Sequence, residues 1–302
     1  MCDWSFRAST PLQSIVVRPT ATALRTFEHS EFDPTRLAAA KGGLRVSVCL
    51  PARDEVATVG AIVSCIRHEL VDDIGLVDEI LVVDDHSSDG TALAATDAGA
   101  RVVRAADVLP DYGKGPGKGA ALWKSLYEAD GDLIVWCDAD VVGFGSHYVT
   151  GLLGPLLTNP DVGFVKGFYE RPRADGQRGG RVTELTARPI LQLLFPQLAS
   201  VIQPLAGEYA GRRELLEQLP FVEGYGVDIA LLIDVTNRFG TEALAQVDLG
   251  TRVHRNRPLD ELSPQAGAVL EAALDRAGGK LGIETVERPP LVSVPAYRRR
   301  SA

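Results

Sequence analysis

The chain of 302 residues has few features that would crosslink it or anchor it in a membrane. Its four cysteines, Cys2, Cys49, Cys65 and Cys137, show no C-x-x-C spacing, so neither a zinc knot nor a disulfide framework is expected. The longest apolar runs fall far short of the ~18 residues that a membrane-spanning helix needs. We therefore expect no transmembrane helix and buried, chemically inert thiols.

An excess of positive charge is also missing. The 31 Lys and Arg residues against 40 Asp and Glu residues give a formal net charge of −9, so nucleic acid and anionic membranes are not expected partners. The first residues include Asp3 and no compact apolar stretch with a cleavage site, which predicts a cytoplasmic location. The 45% share of hydrophobic residues is typical of a globular protein.

Common nucleotide-binding motifs are absent as well. No G-x-G-x-x-G follows the first predicted strand, which argues against an NAD-dependent oxidoreductase. The loop 111–119 places Lys118 among glycines but does not have the P-loop spacing. The segment 51–55 lacks the glycines expected of a sugar nucleotidyltransferase. The loop 111–119 could still offer backbone N–H groups and an ammonium group to a diphosphate, or be an ordinary surface loop.

Strand and helix patterns alternate from Leu44 onwards. Repeated β-α-β order predicts an α/β protein with a Rossmann-like, mostly parallel sheet flanked by helices. Strands are predicted at 45–50, 79–83, 100–103, 132–137, 163–169 and 244–249. Helices are predicted at 55–70, 89–98, about 119–128, 147–157, 182–194, 212–219, 227–239 and 260–277, with an irregular segment at 204–209.

The sequence Asp138-Ala139-Asp140 follows a wholly apolar predicted strand. Residues i and i+2 of an extended chain face the same side, so both carboxylates can reach one cation. Mg²⁺ prefers one or two carboxylates together with substrate phosphate oxygens. Aspartates are also common in turns, but ligands of open α/β sheets collect at this strand edge.

Two more acidic loops are predicted at the same edge. Residues 51–55 follow the first strand, and residues 84–91 follow the second. Their carboxylates could accept hydrogen bonds from a base or from ribose hydroxyls. Helix capping, for example by Asp89, is a compatible structural role.

A second anion site is predicted where residues 179–183 open a helix. Free N–H groups, the Arg181 guanidinium and the Thr183 hydroxyl suit a phosphate or carboxylate, although the segment could be an ordinary helix start. Further along, His254 follows a predicted strand between arginines. It could supply an imidazole to a metal, or be a structural histidine.

Taken in order, these motifs resemble the actinobacterial glucosyl-3-phosphoglycerate synthases, retaining glycosyltransferases of the GT-A fold in a family that also contains mannosyl-3-phosphoglycerate synthases. The resemblance covers about 44–262. The segments that show it are VSVCLPARDE, LVVDDHSSDGT, PGKGAALWKSL and CDAD. The motifs most specific to the family are GGRVTEL, GEYA, GYGV and HRNRPL.

The resemblance implies a UDP-glucose donor, a D-3-phosphoglycerate acceptor and retention of the anomeric configuration. Mg²⁺ or Mn²⁺ would be held by Asp140 and His254, and Asp228 and Asp140 would be the catalytic residues. Donor-binding positions would be Pro51, Ala52, Glu55, Asp85, Lys118, Asp138, Ala139 and Asp140. Acceptor-binding positions would be Gly180, Arg181, Thr183, Tyr225 and Asn256.

The order of the predicted elements also divides the chain. Residues 1–43 would be an N-terminal arm, 44–143 the nucleotide-sugar-binding half, 144–262 the acceptor-binding half of the same domain, and 263–302 a C-terminal helix and tail. Family members tend to be homodimers. Their product begins a route to glucosylglycerate, a compatible solute, or to methylglucose lipopolysaccharide.

This chain departs from the family pattern in the two loops that would contact the base of the donor nucleotide. It has Arg53 and Asp54 where members usually read PALNE, and Asp85-His86 where they read DSGS. Asp228 replaces the usual Glu. A GDP-mannose donor, as in mannosyl-3-phosphoglycerate synthases, is therefore an open alternative. A noncatalytic nucleotide-sugar-binding protein is a second one, disfavoured by the joint presence of the motif residues.

Overall fold

The computed structural model describes residues 24–113, 117–171, 180–252, 259–278 and 285–297. The strands are β1 Arg25–Glu28, β2 Val46–Ala52, β3 Glu79–Asp84, β4 Arg101–Arg104, β5 Leu133–Trp136, β6 Phe164–Glu170, β7 Tyr209–Arg212, β8 Phe221–Val222, β9 Leu244–Thr251 and β10 Glu287–Arg288. The α-helices are α1 Pro34–Lys41, α2 Val59–Ile66, α3 Thr91–Asp97, α4 Lys118–Glu128, α5 His147–Thr158, α6 Arg188–Leu194, α7 Arg213–Leu216, α8 Val227–Phe239 and α9 Leu259–Arg276.

Eight of these strands form one sheet in the order β1-β9-β6-β7-β5-β2-β3-β4. Every neighbouring pair is parallel except for the two pairs that β7 makes with β5 and β6. The predicted mostly parallel sheet is therefore confirmed. A second, two-stranded sheet pairs β10 with β8 and brings part of the C-terminal region back onto the domain.

The strand β7 was not predicted. The sequence pattern predicts an irregular segment up to Tyr209 and a helix over 212–219, but the structure has a strand at Tyr209–Arg212 and only a short helix at Arg213–Leu216. Four residues that include a glycine show no strand periodicity of their own. A Cβ at Gly211 would lie 3.0 Å from Leu216, so this glycine fits the tight turn from strand to helix.

Part of the predicted N-terminal arm belongs to the central sheet. Residues Arg25–Glu28 form β1, which pairs in parallel with β9 at the sheet edge. Helix α1 follows, and Asp33 caps it by accepting a hydrogen bond from the Arg36 N–H at 2.9 Å.

Both faces of the sheet are covered by hydrophobic layers. Along β5, Ile134 and Trp136 point into one buried cluster, while Leu133 and Val135 point into the other. This alternation follows from the two-residue period of a strand. It also explains why β5 has no polar residue, because a strand covered on both sides buries every side chain.

The strand order places a ligand crevice between β2 and β5. From β2 the chain moves outward through β3 to β4 and then returns to the other side of β2 as β5, which makes this a topological switch point. A hydrogen bond connects the loops that follow β2 and β5 across this crevice: the Thr58 hydroxyl donates to the Ala139 carbonyl at 2.6 Å. Among the described helices, none is long and apolar enough to cross a membrane.

Candidate active site

A cavity of about 490 Å³ lies at the carboxyl ends of β2, β3 and β5. All eight positions predicted to bind the donor line it: Pro51, Ala52, Glu55, Asp85, Lys118, Asp138, Ala139 and Asp140. The parallel arrangement brings together loops that lie up to about ninety residues apart in the sequence. We call this space the donor cavity.

The wall of the donor cavity is held by an interaction between two loops. Asp54 has a left-handed backbone with φ 56°, and its carboxylate accepts hydrogen bonds from the N–H of Ser88 at 2.7 Å and from its hydroxyl at 3.1 Å. His86 is also left-handed, with φ 66°. Asp and His tolerate this conformation better than most residues, so this wall has a defined shape.

Asp85 joins the wall to the start of α4. One carboxylate oxygen accepts the N–H of Gly117 at 3.0 Å, and the other lies 3.0 Å from Nδ1 of His86. A Cβ at Gly117 would lie 2.4 Å from the Glu223 carbonyl oxygen, and one at Gly119 would lie 1.6 Å from that of Val222. These glycines therefore permit close packing of α4, a role that their sequence context did not reveal.

A second cavity of about 190 Å³ adjoins the first, and we call it the acceptor cavity. Its lining includes the predicted positions Gly180, Arg181, Thr183, Tyr225 and Asp228. Gly180 has φ 92°, and its carbonyl accepts the N–H of Glu184 at 2.9 Å, so a helical segment begins directly after it. The predicted helix over 182–194 has a π-helical turn, Thr183–Ala187, before α6.

The two cavities share four residues. Lys118, Asp138, Asp140 and Tyr225 line both of them. A molecule in one cavity therefore meets a molecule in the other beside two carboxylates and an ammonium group. This is the arrangement that a transfer between two bound substrates requires.

Lys118 bridges two carboxylates at this junction. Its ammonium lies 3.3 Å from Asp138 and 3.2 Å from Asp228. Burial alone would lower the pKa of Lys118, but the carboxylates of Asp138 and Asp228 outweigh it and raise that pKa above its ordinary value. The ammonium therefore stays charged and can face a diphosphate.

Arg252 organises the acidic side of the junction. Its guanidinium donates to Asp140 at 2.6 Å, to Glu208 at 2.6 Å and to Asp138 at 3.3 Å. Burial would raise the pKa of Asp138, but the positive charges of Lys118 and Arg252 hold it below its ordinary value. Asp138 is therefore ionised at any physiological pH.

Sequence reasoning missed several residues that surround this junction, namely Lys166, Tyr169, Gly207, Glu208 and Arg252. Glu208 lies within the GEYA motif and Arg252 opens the basic segment before His254, so both were visible as motif members without a role. Lys166 is a single lysine within a buried strand. Its position beside Asp228 depends on the packing of distant elements.

The carboxylate oxygens at the junction suit a hard divalent cation. Asp138 and Asp140 offer carboxylate oxygens, and Asp140 keeps 43% of its side chain exposed to the cavities. Within the described ranges no group of three or more His, Cys, Asp and Glu residues could hold a metal ion. Two carboxylates with substrate oxygens would still match the preference of Mg²⁺ or Mn²⁺. The predicted ligand His254 and the predicted acceptor residue Asn256 lie outside the described residues.

Fold and site together define a glycosyltransferase of the GT-A fold, with adjoining cavities for a nucleotide sugar and an anionic acceptor. The family model for glycosyl transferase family 2 matches residues 47–219, and the chain belongs to that family. The match begins within β2 and extends beyond β7, and it includes all eight predicted donor-binding positions.

Similar proteins narrow the class further. The chain is 42% identical to a glucosyl-3-phosphoglycerate synthase of Petrotoga mobilis, covering 91% of this chain and 96% of the relative. A Mycobacterium tuberculosis glucosyl-3-phosphoglycerate synthase, solved with Mn²⁺, UDP-glucose and phosphoglyceric acid, is 45% identical, with a TM-score of 0.81 over 89% of this chain and 98% of that one. A mannosyl-3-phosphoglycerate synthase of Rubrobacter xylanophilus is 39% identical, with a TM-score of 0.83 over 89% and 97%.

Proposed function

We propose that this enzyme transfers glucose from UDP-glucose to D-3-phosphoglycerate with retention of the anomeric configuration and with a divalent metal ion. The observation that carries the proposal is the junction of the two cavities at Lys118, Asp138, Asp140 and Tyr225. The similar enzyme of Mycobacterium tuberculosis was solved with UDP-glucose, Mn²⁺ and phosphoglyceric acid, which supports the choice of substrates.

The donor cavity suits a nucleoside diphosphate sugar. Pro51 and Ala52 form an apolar wall for the base, while Glu55 and Asp85 offer carboxylates to polar groups of the nucleoside. Lys118 stands at the inner end of the cavity, where the diphosphate would lie. Its positive charge would stabilise the negative charge that develops on the leaving diphosphate.

The acceptor cavity suits a small phosphorylated acid. The helical segment after Gly180 presents backbone N–H groups, Arg181 contributes a guanidinium, and Thr183 contributes a hydroxyl. Phosphate and carboxylate groups both match such a set. The acceptor would be held with its hydroxyl towards Asp228 and the junction.

The metal ion would be held by Asp140 and His254, with Asp138 beside it. When bound, it would neutralise charge on the diphosphate oxygens. In the structure Arg252 donates to both aspartates, which holds the two carboxylates close together. We infer that Arg252 prepares these oxygens for a cation.

Retention of the anomeric configuration is consistent with attack on the same face of the sugar from which the diphosphate departs. Such attack needs the acceptor and the leaving group side by side, and Lys118 contacts both Asp138 on the donor side and Asp228 on the acceptor side. We infer that Asp228 orients the acceptor hydroxyl or the sugar, a role that the shorter Asp side chain must perform here in place of Glu.

A GDP-mannose donor is the second candidate. The 39% identity to a mannosyl-3-phosphoglycerate synthase supports it, as do the family departures at Arg53, Asp54 and Asp85, which line the donor cavity. The interaction of Asp54 with Ser88 fixes the shape of this wall. Donor choice is therefore the sharpest point to test.

We also infer a cytoplasmic homodimer that starts a route to glucosylglycerate or methylglucose lipopolysaccharide. Residues 44–143 would form the donor half and 144–262 the acceptor half of one domain, and 263–302 a C-terminal helix and tail. Residues 1–43 would be an arm that adds β1 to the edge of the sheet. Light scattering on the purified protein measures the oligomeric state, and a monomeric mass would contradict the dimer.

The decisive experiment measures product formation by the purified protein with D-3-phosphoglycerate. UDP-glucose, ADP-glucose, GDP-glucose and GDP-mannose are compared, each with Mg²⁺ or Mn²⁺ and with EDTA, and the anomeric configuration is read by NMR. Glucosyl-3-phosphoglycerate formed from UDP-glucose and lost with EDTA is expected. A preference for GDP-mannose would assign the second candidate, and no product from any donor would contradict both.

An Asp140→Ala variant tests the metal site. The expected result is loss of metal-dependent transfer and weaker Mn²⁺ binding by calorimetry in the presence of UDP. Asp132→Ala is a matched control, because Asp132 accepts the Arg45 N–H at the opposite end of β5. Full metal-dependent activity of Asp140→Ala would contradict the assignment.

A further inference from the structure

Lys166 is a buried lysine that faces Asp228, a residue lining the acceptor cavity. It lies on β6 with 2% of its side chain exposed, and its cross-strand partner on β7 is Tyr209. The ammonium stands 4.2 Å above the Tyr209 ring and 3.9 Å from Oδ1 of Asp228. Asp228 itself has 7% of its side chain exposed.

Three buried polar atoms meet at this place without a hydrogen bond. They are Nζ of Lys166, Oδ1 of Asp228 and the hydroxyl of Tyr209. The 3.9 Å gap between Lys166 and Asp228 permits charge attraction but no hydrogen bond. Lys166 therefore exchanges its hydration for a cation–π contact and a charge attraction, without any hydrogen bond.

A buried ammonium without a hydrogen bond destabilises the folded state. Burial lowers the pKa of Lys166 to about 8, and the nearby carboxylate of Asp228 only partly offsets the effect. A methionine of similar length would fill the same space without this cost. A residue that lowers stability at the centre of a site is typical of a functional requirement.

Two lysines approach the carboxylate of Asp228, one at each oxygen. Lys118 reaches Oδ2 at 3.2 Å from the cavity side, and Lys166 faces Oδ1 from within the sheet. Asp228 lines the acceptor cavity, whereas Lys166 lines neither cavity. Lys166 can therefore act on bound substrates through Asp228, the acidic side chain that it faces at 3.9 Å.

We propose that Lys166 is a positioning residue that holds the Asp228 carboxylate in its orientation at the acceptor cavity and thereby sets the rate of glycosyl transfer. The inference rests on the proposed function. The shorter Asp side chain strengthens the argument, because a carboxylate with less reach must be held more closely in place to contact the same substrate atoms.

The first test is the variant Lys166→Met, measured by kcat, by KM for both substrates and by thermal unfolding. The expected result is a ~10- to 100-fold fall in kcat, because small displacements of a reacting group have effects of this size. KM values should stay within about threefold of the wild type, since no substrate contact is removed. The melting temperature should not fall.

Lys41→Met is the matched control. Lys41 is also a buried lysine, but it contacts Asp78 at 2.8 Å far from the cavities. This control should lower the melting temperature and leave kcat unchanged. If Lys166→Met behaved like Lys41→Met, the lysine would be merely structural and the proposal would be overturned.

The second test needs no buried substitution. The kcat of the wild type should fall as pH rises through about 8, because Lys166 then loses its proton and its attraction for Asp228. Lys118 stays charged in this range because its pKa is raised. The charged and titratable groups that act on Lys166 from the packed elements are Asp228, Lys118, Glu208, Asp138 and Tyr209.

The variant Tyr209→Phe completes the design, since it removes only one hydroxyl beside Asp228. It should reduce kcat less than Lys166→Met does, and it should keep the alkaline fall in rate. A wild-type kcat that is constant from pH 7 to pH 9.5 would overturn the proposal. An inactive wild type would overturn the proposed function together with it, whereas an active wild type with a fully active Lys166→Met would overturn the positioning role alone.

Discussion

A side chain at Gly207 would lie 2.2 Å from both carboxylate oxygens of Asp138. The backbone before β7 therefore presses directly against this carboxylate, and glycine is the residue that leaves room for it. Lys118 and Arg252 hold the same carboxylate from two other directions. Asp138 is thus fixed by close backbone packing as well as by charge.

Gly207→Ala should displace Asp138 and uncouple it from Lys118 and Arg252. We expect activity to fall by ~100-fold, because a misplacement of about 1 Å at a reacting centre has this effect. Gly267→Ala is the control, since a Cβ there meets nothing within 4 Å. Gly267 lies within α9, so its replacement by alanine should raise the melting temperature slightly and leave the activity unchanged. Equal activity of the two variants would contradict the packing argument.

Arg181→Ala should weaken acceptor binding. A charge-assisted hydrogen bond contributes about 1.5–3 kcal/mol, which corresponds to a ~10- to 100-fold rise in KM for D-3-phosphoglycerate. The KM for the donor should not change, because Arg181 lines only the acceptor cavity. Arg188→Ala is the control, since that guanidinium contacts Glu184 on the exposed side of the same helical segment. A rise in donor KM alone would show that Arg181 serves the other cavity.

Asp54→Ala should loosen the wall of the donor cavity. It removes the acceptor for the Ser88 N–H and places alanine in a left-handed conformation that costs roughly 1–2 kcal/mol. We expect a higher KM for the nucleotide sugar and reduced discrimination among bases, with an unchanged KM for the acceptor. Asp54→Asn tolerates the same backbone and retains an acceptor oxygen, so it should stay close to the wild type. Indistinguishable kinetics of all three proteins would refute a role of this interaction in donor binding.

Lys166→Met should change stability in a pH-dependent way. The pKa of Lys166 is about 8 in the folded protein against 10.5 for an ordinary lysine, so the unfolded chain binds the proton more tightly. The charged lysine therefore destabilises the wild type below about pH 8, and this cost diminishes between pH 8 and 10.5.

Urea unfolding at pH 7 and pH 10 measures this linkage. The midpoint of Lys166→Met should exceed that of the wild type at pH 7, and the difference should narrow at pH 10. The comparison between the two proteins cancels the titration of all other groups. A difference that widens with pH would show that Lys166 is stabilised, rather than penalised, by its surroundings.

Patterns within short segments of the sequence predicted the helices and strands that neighbouring residues specify. Helix α8 was predicted over 227–239 and begins and ends at those residues, because thirteen residues with a continuous helical pattern end at a glycine. The strand before Asp138 was predicted from its apolar run. The Asp-x-Asp motif lies at the carboxyl edge of the sheet because it directly follows the apolar run that forms this strand.

The tertiary structure decided what depends on distant parts of the chain. Arg252 meets Asp140 across 112 positions and Glu208 across 44, and β7 is a strand only because β5 and β6 lie on either side of it. The sequence by itself determined which residue types stand at the sheet edge, through hydrophobic periodicity and turn chemistry. Only the fold decided that Lys166 lies beneath Asp228, because burial and charge pairing between strands and helices are not encoded in any short segment.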